Sequence, residues 1–238
     1  NTQGSFISDR LIYVDSLKDI DANHNTEQYG FKQDLELRIN PRNRFRIEQS
    51  LLHQIINSKS ILGGDNKETR FAIAANYHHT YSTNLSFLFS SRQEFLENNR
   101  SPFLPSVGLK YAQPKIGIFE CSLSRSYRNP SWNDLYWNPG GNPDLKPEEG
   151  LMLNVSFQKS STINNIETAI KIATYYGRIS DWIIWLPENG YWTPSNLALV
   201  EQRGLELETS FRLSTKWGVF KYSNLGSLQF STNLSERV

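Results

Sequence analysis

The residue types best suited to binding a metal are four histidines, His24, His53, His78 and His79. Their spacing argues against a shared ion. Adjacent side chains on a strand leave opposite faces, so His78 and His79 cannot chelate together without a bulge. No metal and no cofactor is expected. Ser122, Ser124 and Ser126 have no companion histidine in an order that suggests a triad. No Gly-x-Ser-x-Gly, His-Glu-x-x-His or Walker-type phosphate loop occurs. Glu206 and Glu208 alternate with leucines, a pattern suited to a wet wall rather than to paired acid–base chemistry. The chain is therefore read as no enzyme. Binding has better candidates in Trp132, Tyr136, Trp137, Trp185, Tyr191 and Trp192. Their amphipathic rings could stack on a bulky amphipathic substrate, or could simply pack loops and interfaces.

The elements that must position these residues repeat with period two. Phe71, Ile73, Ala75 and Tyr77 face one way, Arg70, Asn76 and His78 the other. Leu35, Leu37 and Ile39 alternate with Asp34, Glu36 and Arg38. The same alternation runs through Leu151, Leu153, Val155 and Phe157, and again through Leu205, Leu207, Phe211 and Leu213. A slip of one residue would carry every one of these charges to the apolar face, so register is well specified.

The pattern predicts about eleven strands, near 5–16, 30–39, 43–56, 69–81, 84–95, 105–112, 115–126, 148–158, 165–179, 200–213 and 225–234. Most reach about 9 residues or more, enough to cross a hydrocarbon core at a tilt; strands of soluble proteins centre on about 5–6. Asn40-Pro41-Arg42-Asn43, Ser82-Thr83 and Gln113-Pro114 read as tight turns. Long polar segments near 17–29, 57–68, 92–104, 127–147 and 180–199 alternate with them, as the extracellular loops and periplasmic turns of membrane barrels do. Stretch 214–226 breaks that rhythm: it should be a short turn and reads as a long one, with Trp217-Gly218-Val219-Phe220 as possible extra strand. Tyr13, Tyr29, Phe31, Tyr77, Tyr81, Tyr111, Tyr176, Trp182 and Trp185 fall near predicted strand ends, where an interfacial girdle would place them. The fold class is all-β, a section of an antiparallel transmembrane β-barrel.

Composition agrees. The 238 residues carry 25 basic and 24 acidic side chains, which gives no reason to invoke nucleic acid. Mean hydropathy is −0.53 and no apolar run is long enough for a membrane helix, yet a barrel alternates its faces and needs no such run. The single cysteine, Cys121, excludes an internal disulfide framework. Asn1-Thr2-Gln3-Gly4 opens without the basic and apolar regions of a signal peptide. Either such a leader has been cleaved or the chain is an internal section.

Residues 124–150 carry a more specific pattern. Tyr127, Arg128, Pro130 and Ser131 are followed by Leu135-Tyr136, then by Gly141, Asn142, Pro143, Leu145, Lys146, Pro147 and Glu148. This run resembles the barrel of TonB-dependent outer-membrane receptors. Tyr176, Arg178-Ile179 and Asp181, then Asn196 with Gly204-Leu205-Glu206, resemble two further stretches of that family in the same order. Independently of the resemblance, Pro130, Pro139, Pro143 and Pro147 keep 127–147 out of the sheet, because each lacks a ladder donor.

The resemblance implies a barrel of 22 strands, of which residues 1–238 would be a part, with the plug domain and the closing C-terminal strands outside it. It implies import of a large scarce nutrient, a cobalamin-like corrinoid first and a ferric siderophore or haem second. It also implies a TonB–ExbB–ExbD energy-transducing partner acting through the plug region, and an outer-membrane location in contact with lipid. Such a section should not transport anything alone. The alternatives are a non-gated porin or structural barrel, which would lack the motif matches, a barrel-embedded enzyme, and a soluble sandwich, which would fold without detergent.

Overall fold

The computed structural model describes residues 1–15, 20–58, 61, 65–96, 99–188 and 190–235. The side chains of Tyr13 and His24, on which two expectations fell, lie outside the described set. Among the described residues, twelve strands form one antiparallel sheet. They are β1 (Thr2–Asp15), β2 (Ile20–Asn40), β3 (Asn43–Ser58), β4 (Asp65–Thr80), β5 (Leu85–Leu96), the two-residue β6 (Asn99–Arg100), β7 (Leu104–Gln113), β8 (Gly117–Arg128), β9 (Glu148–Ile163), β10 (Ile166–Glu188), β11 (Tyr191–Thr215) and β12 (Gly218–Asn233). A five-residue helix, α1 (Trp132–Tyr136), interrupts the series. Each long strand pairs with its neighbours in chain order, and β6 pairs only with β5.

The register turns the period-two pattern into two chemically distinct faces. One ladder row crosses ten strands through Leu37, Phe45, Tyr77, Phe89, Val107, Leu123, Leu153, Tyr176, Arg203 and Phe230. The row one residue along reads Arg38, Arg44, His78, Leu88, Gly108, Ser122, Asn154, Tyr175, Gly204 and Gln229. The apolar row is not a core: Leu37 is 49% exposed, Phe89 48% and Leu123 47%. Among the described residues the buried apolar set is only Ile61, Ala72, Leu145, Ile179, Ile183 and Val200. An apolar row running across ten strands calls for a partner, and in a membrane barrel lipid covers such a face.

The polar face is laced with ion pairs. Arg46 lies 2.8 Å from Asp34, Lys32 3.1 Å from Glu48, Arg70 2.8 Å from Glu68, Arg92 2.8 Å from Glu94 and Lys110 2.8 Å from Glu120. Each such partly exposed pair contributes little to stability. Together they mark this face as the wet one, as expected for Glu206 and Glu208, which share it.

Five tight turns lie at one end of the sheet, and the other end carries the long 129–147 segment together with the tip of the β10–β11 hairpin. Several boundaries differ from expectation. Strand β2 begins at Ile20, so most of the expected 17–29 loop is sheet. β3 runs to Ser58 and β4 starts at Asp65, shortening 57–68. Stretch 180–199 is no loop: β10 and β11 continue as a hairpin to Glu188 and Tyr191. In a membrane barrel, a strand that runs past the bilayer loses its two contrasting environments, so alternation fades while the backbone ladder goes on. Stretch 214–226 is a tight turn at Lys216-Trp217, and the extra strand expected at 217–220 is the start of β12.

Cys121 sits on the apolar face between Leu109 and Val155 and is exposed. In the reconstituted full-length protein, a lipid-soluble maleimide should label it and a charged, impermeant maleimide should not. Equal labelling by both in bilayers would mean that water, not lipid, covers this face.

Candidate functional site

Residues 129–147 leave the sheet at the end opposite the tight turns and fold back over its polar face. The reason is local. Ser131 caps α1: its hydroxyl accepts from the Asp134 amide at 3.1 Å, and the Asp134 carboxylate accepts from the Ser131 amide at 2.8 Å. This reciprocal capping box satisfies two backbone donors at once. Gly141 turns the chain where a side chain would meet the backbone of Leu135, Tyr136 and Trp137.

Six side chains then fasten the segment to the β9–β11 wall. The Trp185 indole donates to Asp134 Oδ1 at 3.0 Å. Arg128 bridges Asp134 and Glu148, and Glu148 Oε1 also accepts from the buried amide of Ile183 at 2.8 Å. Asn142 Nδ2 donates to the Pro194 carbonyl at 3.1 Å. Asn196 takes the Lys146 amide at 2.9 Å and donates to the Lys146 carbonyl at 3.0 Å and to the Asp181 carbonyl at 2.6 Å. Leu145 and Ile183 are buried in this arrangement, and the rings of Trp137 and Trp185 meet edge to face at 5.9 Å. Asp134 and Glu148 are 6% and 7% exposed, so the latch holds two buried carboxylates with matched donors.

Burial pushes the Asp134 carboxyl up, but the Ser131 amide and hydroxyl, the Trp185 indole and the Arg128 charge outweigh it and hold the group below its ordinary value of 3.8. A depressed carboxylate contributes stability that is complete above its unfolded value and lost as pH falls through its folded value. Docking of 129–147 should therefore be unaffected by pH down to roughly 4, and should loosen only below the ordinary carboxylate range. Acid titration of protease cleavage within 129–147, using an acid-active protease, checks this; loosening already near neutrality would contradict it.

The structure separates the six aromatics expected to bind. Trp132 lines a cavity of about 430 Å³ between the α1 segment and the polar face of β1–β4, opposite Asp9, Gln54, Glu68 and Arg70, with Leu11 and Ile56 supplying apolar wall. Trp137 and Trp185 pack in the latch, so Trp185 is neither a loop residue nor a girdle residue. Tyr136 is half-buried at the end of α1. Tyr191 and Trp192 lie on β11, 38% and 55% exposed, beside Gly140. Pro130 joins Trp132 at the cavity wall. Pro143 is exposed, and Pro147 is half-buried between Lys146 and Glu148.

Gly204 has a separate reason: the Tyr175 ring lies directly over it and leaves no room for a side chain. Glu206 faces a second cavity of about 480 Å³ nearer the tight turns, which His78, Lys110 and Ser122 also line. His78 and Ser122 are three ladder steps apart, on the order of 14 Å between backbones, so they form no proton-transfer pair. His79 Nδ1 lies 2.7 Å from Asn43 Oδ1, and His53 Nδ1 2.9 Å from Thr69 Oγ1. Asp134, the centre of the latch, was not among the expected residues, although its Ser131-x-x-Asp134 spacing is the sequence sign of a capping box.

A family model described as TonB dependent receptor-like, beta-barrel, matches residues 2–236. The chain is 33% identical over 121 residues to a vitamin B12 transporter BtuB of Vibrio vulnificus, an alignment covering 47% of this chain and 19% of that protein. Its fold is similar to that of the FrpB iron transporter from Neisseria meningitidis, with a TM-score of 0.68, 12% identity, 96% of this chain covered and 41% of that one. It is similar also to the ferric enterobactin receptor PfeA from Pseudomonas aeruginosa, with a TM-score of 0.67, 13% identity, 96% of this chain covered and 40% of that one. The chain thus spans less than half the length of the proteins it matches.

Proposed function

The chain belongs to the TonB-dependent receptor β-barrel family, and from that membership we propose that residues 1–238 form part of the barrel domain of a bacterial outer-membrane receptor that imports a large scarce nutrient. The single observation that carries the reading is the latched segment. A wall with a lipid-compatible outside and a charged inside bears, at its long-connection end, a fixed structure folded over the inner face. That is a mouth built to hold something above the lumen. A simple channel has no use for two buried carboxylates spent on keeping a loop across its entrance.

The substrate proposed is an amphipathic molecule too large for diffusion, a cobalamin-type corrinoid first, with a ferric siderophore or haem second. The similarity to the vitamin B12 transporter supports that ranking. The Trp132 cavity supports the class, since it combines an indole and aliphatic wall with Asp9, Gln54 and the Glu68–Arg70 pair. Trp132 and its neighbours would contact the ligand, with Tyr191 and Trp192 exposed at the hairpin tip as a second aromatic surface. Energy would come from a TonB–ExbB–ExbD complex acting through a plug domain elsewhere in the protein.

The test is tryptophan-quenching titration of the full-length receptor with cyanocobalamin and with a ferric siderophore. Binding of one, weakened by roughly tenfold in Trp132→Ala, is expected for the loss of one good aromatic contact. Binding of neither, together with unrestricted ion conductance in planar bilayers, would return the reading to a non-gated porin.

A further inference from the structure

The outer face carries a feature that neither import nor barrel closure uses. Following the ladder across β8, β9, β10 and β11 on the apolar side, one row reads Arg125, Leu151, Arg178, Glu201. It lies one step nearer the long-connection end than the row of Leu123, Leu153 and Tyr176. Two arginines therefore flank Leu151 on adjacent-but-one strands, about 10 Å apart at the backbone. They sit where the apolar belt ends. Below them the same strands present Leu123, Leu153, Val155, Phe157 and Ile172 in descending rows.

These residues bound a groove of about 580 Å³ on the outer wall, with Leu123, Leu151 and Leu153 along its floor and Arg125 and Arg178 at its upper rim. Gly150, between Glu149 and Leu151, brings the β9 backbone to the edge of the groove. The two arginines differ in their engagement. Arg125 pairs with Glu149 at 2.6 Å. Arg178 is exposed and has no ion-pair partner among the described residues. The neighbouring Glu201 accepts instead from the Tyr176 hydroxyl at 2.8 Å. An unpaired guanidinium at the top of a lipid-facing groove is held where bilayer head groups lie, and its planar donors suit a phosphate.

We propose that this groove binds a phosphate-bearing lipid of the outer leaflet, its phosphate between Arg178 and Arg125 and its acyl chains along the strip from Leu151 down to Phe157. Charge complementarity names the occupant: an apolar lane topped by the unpaired Arg178, beside an Arg125 shared with Glu149, fits an amphiphile with an anionic head. The proposal rests on the reading that this face meets lipid.

The test uses the full-length receptor purified in detergent, with native mass spectrometry after adding bisphosphorylated lipid A, the same lipid with its phosphates removed, or inorganic phosphate. Retention of the phosphorylated lipid alone is expected, with at least a tenfold loss in Arg178→Gln and recovery in Arg178→Lys. Arg178 is the better residue to change because no protein partner is orphaned by it; Arg203→Gln, one row lower, serves as the control and should retain the lipid. Equal retention by Arg178→Gln, or of the dephosphorylated lipid, would overturn the proposal. So would comparable binding of inorganic phosphate, which would make the site a plain anion site. A receptor that fails to insert into bilayers at all would instead overturn the lipid-facing reading beneath it.

Discussion

Glu148→Ala should release residues 129–147 from the wall, at a local cost of about 2–3 kcal/mol, while leaving the sheet folded. Removing the carboxylate strands two partners at once: the Arg128 guanidinium and the buried amide of Ile183. An orphaned buried donor forfeits its full desolvation cost, and a donor bonded to a charged group more still. Arg128 is partly exposed and can turn to water, which holds the loss at or below the bottom of the range for buried pairs. Glu148→Gln keeps an oxygen for Ile183 and should lose less than half as much. Limited proteolysis within 129–147 reads the effect directly, and nutrient binding should weaken in parallel with it. A Glu148→Ala receptor that resists protease as the parent does would show that Asn142, Asn196 and Trp185 hold the segment without help.

The second large effect concerns the two faces. Val155→Arg places a cation in the middle of the apolar belt, between Cys121 and Thr174, and should destabilise the membrane-inserted protein by about 2–4 kcal/mol. Ser156→Arg, one residue further on, enters the wet face beside Glu120 and should change stability little. Denaturant titration in lipid vesicles compares the two. The contrast between consecutive residues is the point of the pair, because only a sheet with opposite environments on its faces separates them. Similar losses at both positions would mean a two-sided core, as in a sandwich.

Which parts of this molecule could be read from its residues depended on where each strand meets two different solvents. Between Leu151 and Phe157, lipid on one side and water on the other write a strict alternation, and both strand and register follow from it. Past Ser180, β10 continues through Trp182-Ile183-Ile184-Trp185, but there a docked loop covers the inner face. Alternation fades there, and the hairpin reads as loop. The prolines mark 127–147 as outside the sheet, and 129–147 does leave it, while Tyr127 and Arg128 end β8. Its role was legible only as resemblance, because Arg128, Asn142 and Glu148 act through partners far along the chain. Asp134 escaped notice among polar loop residues, although its capping-box spacing was available. Trp185 passed for a loop or girdle aromatic because nothing local shows that its indole meets Asp134. The outer arginine pair was invisible for a similar reason: Arg125 and Arg178 become neighbours only once β9 lies between them.

The bonds that fasten the mouth have a consequence for the order in which the molecule assembles. Asn142 to Pro194, Lys146 to Asn196 and Asp134 to Trp185 join residues separated by 52, 50 and 51 positions. All three anchor on residues of the β10–β11 hairpin, whose pairs near its tip are local in sequence. Loop-closure entropy delays the longer-range set further. During biogenesis the segment should thus remain protease-sensitive until the hairpin has formed, and become protected afterwards as a separate, later phase. The entrance is completed after the hairpin on which it rests, and a mutation that slows the hairpin should leave the receptor inserted but open-mouthed.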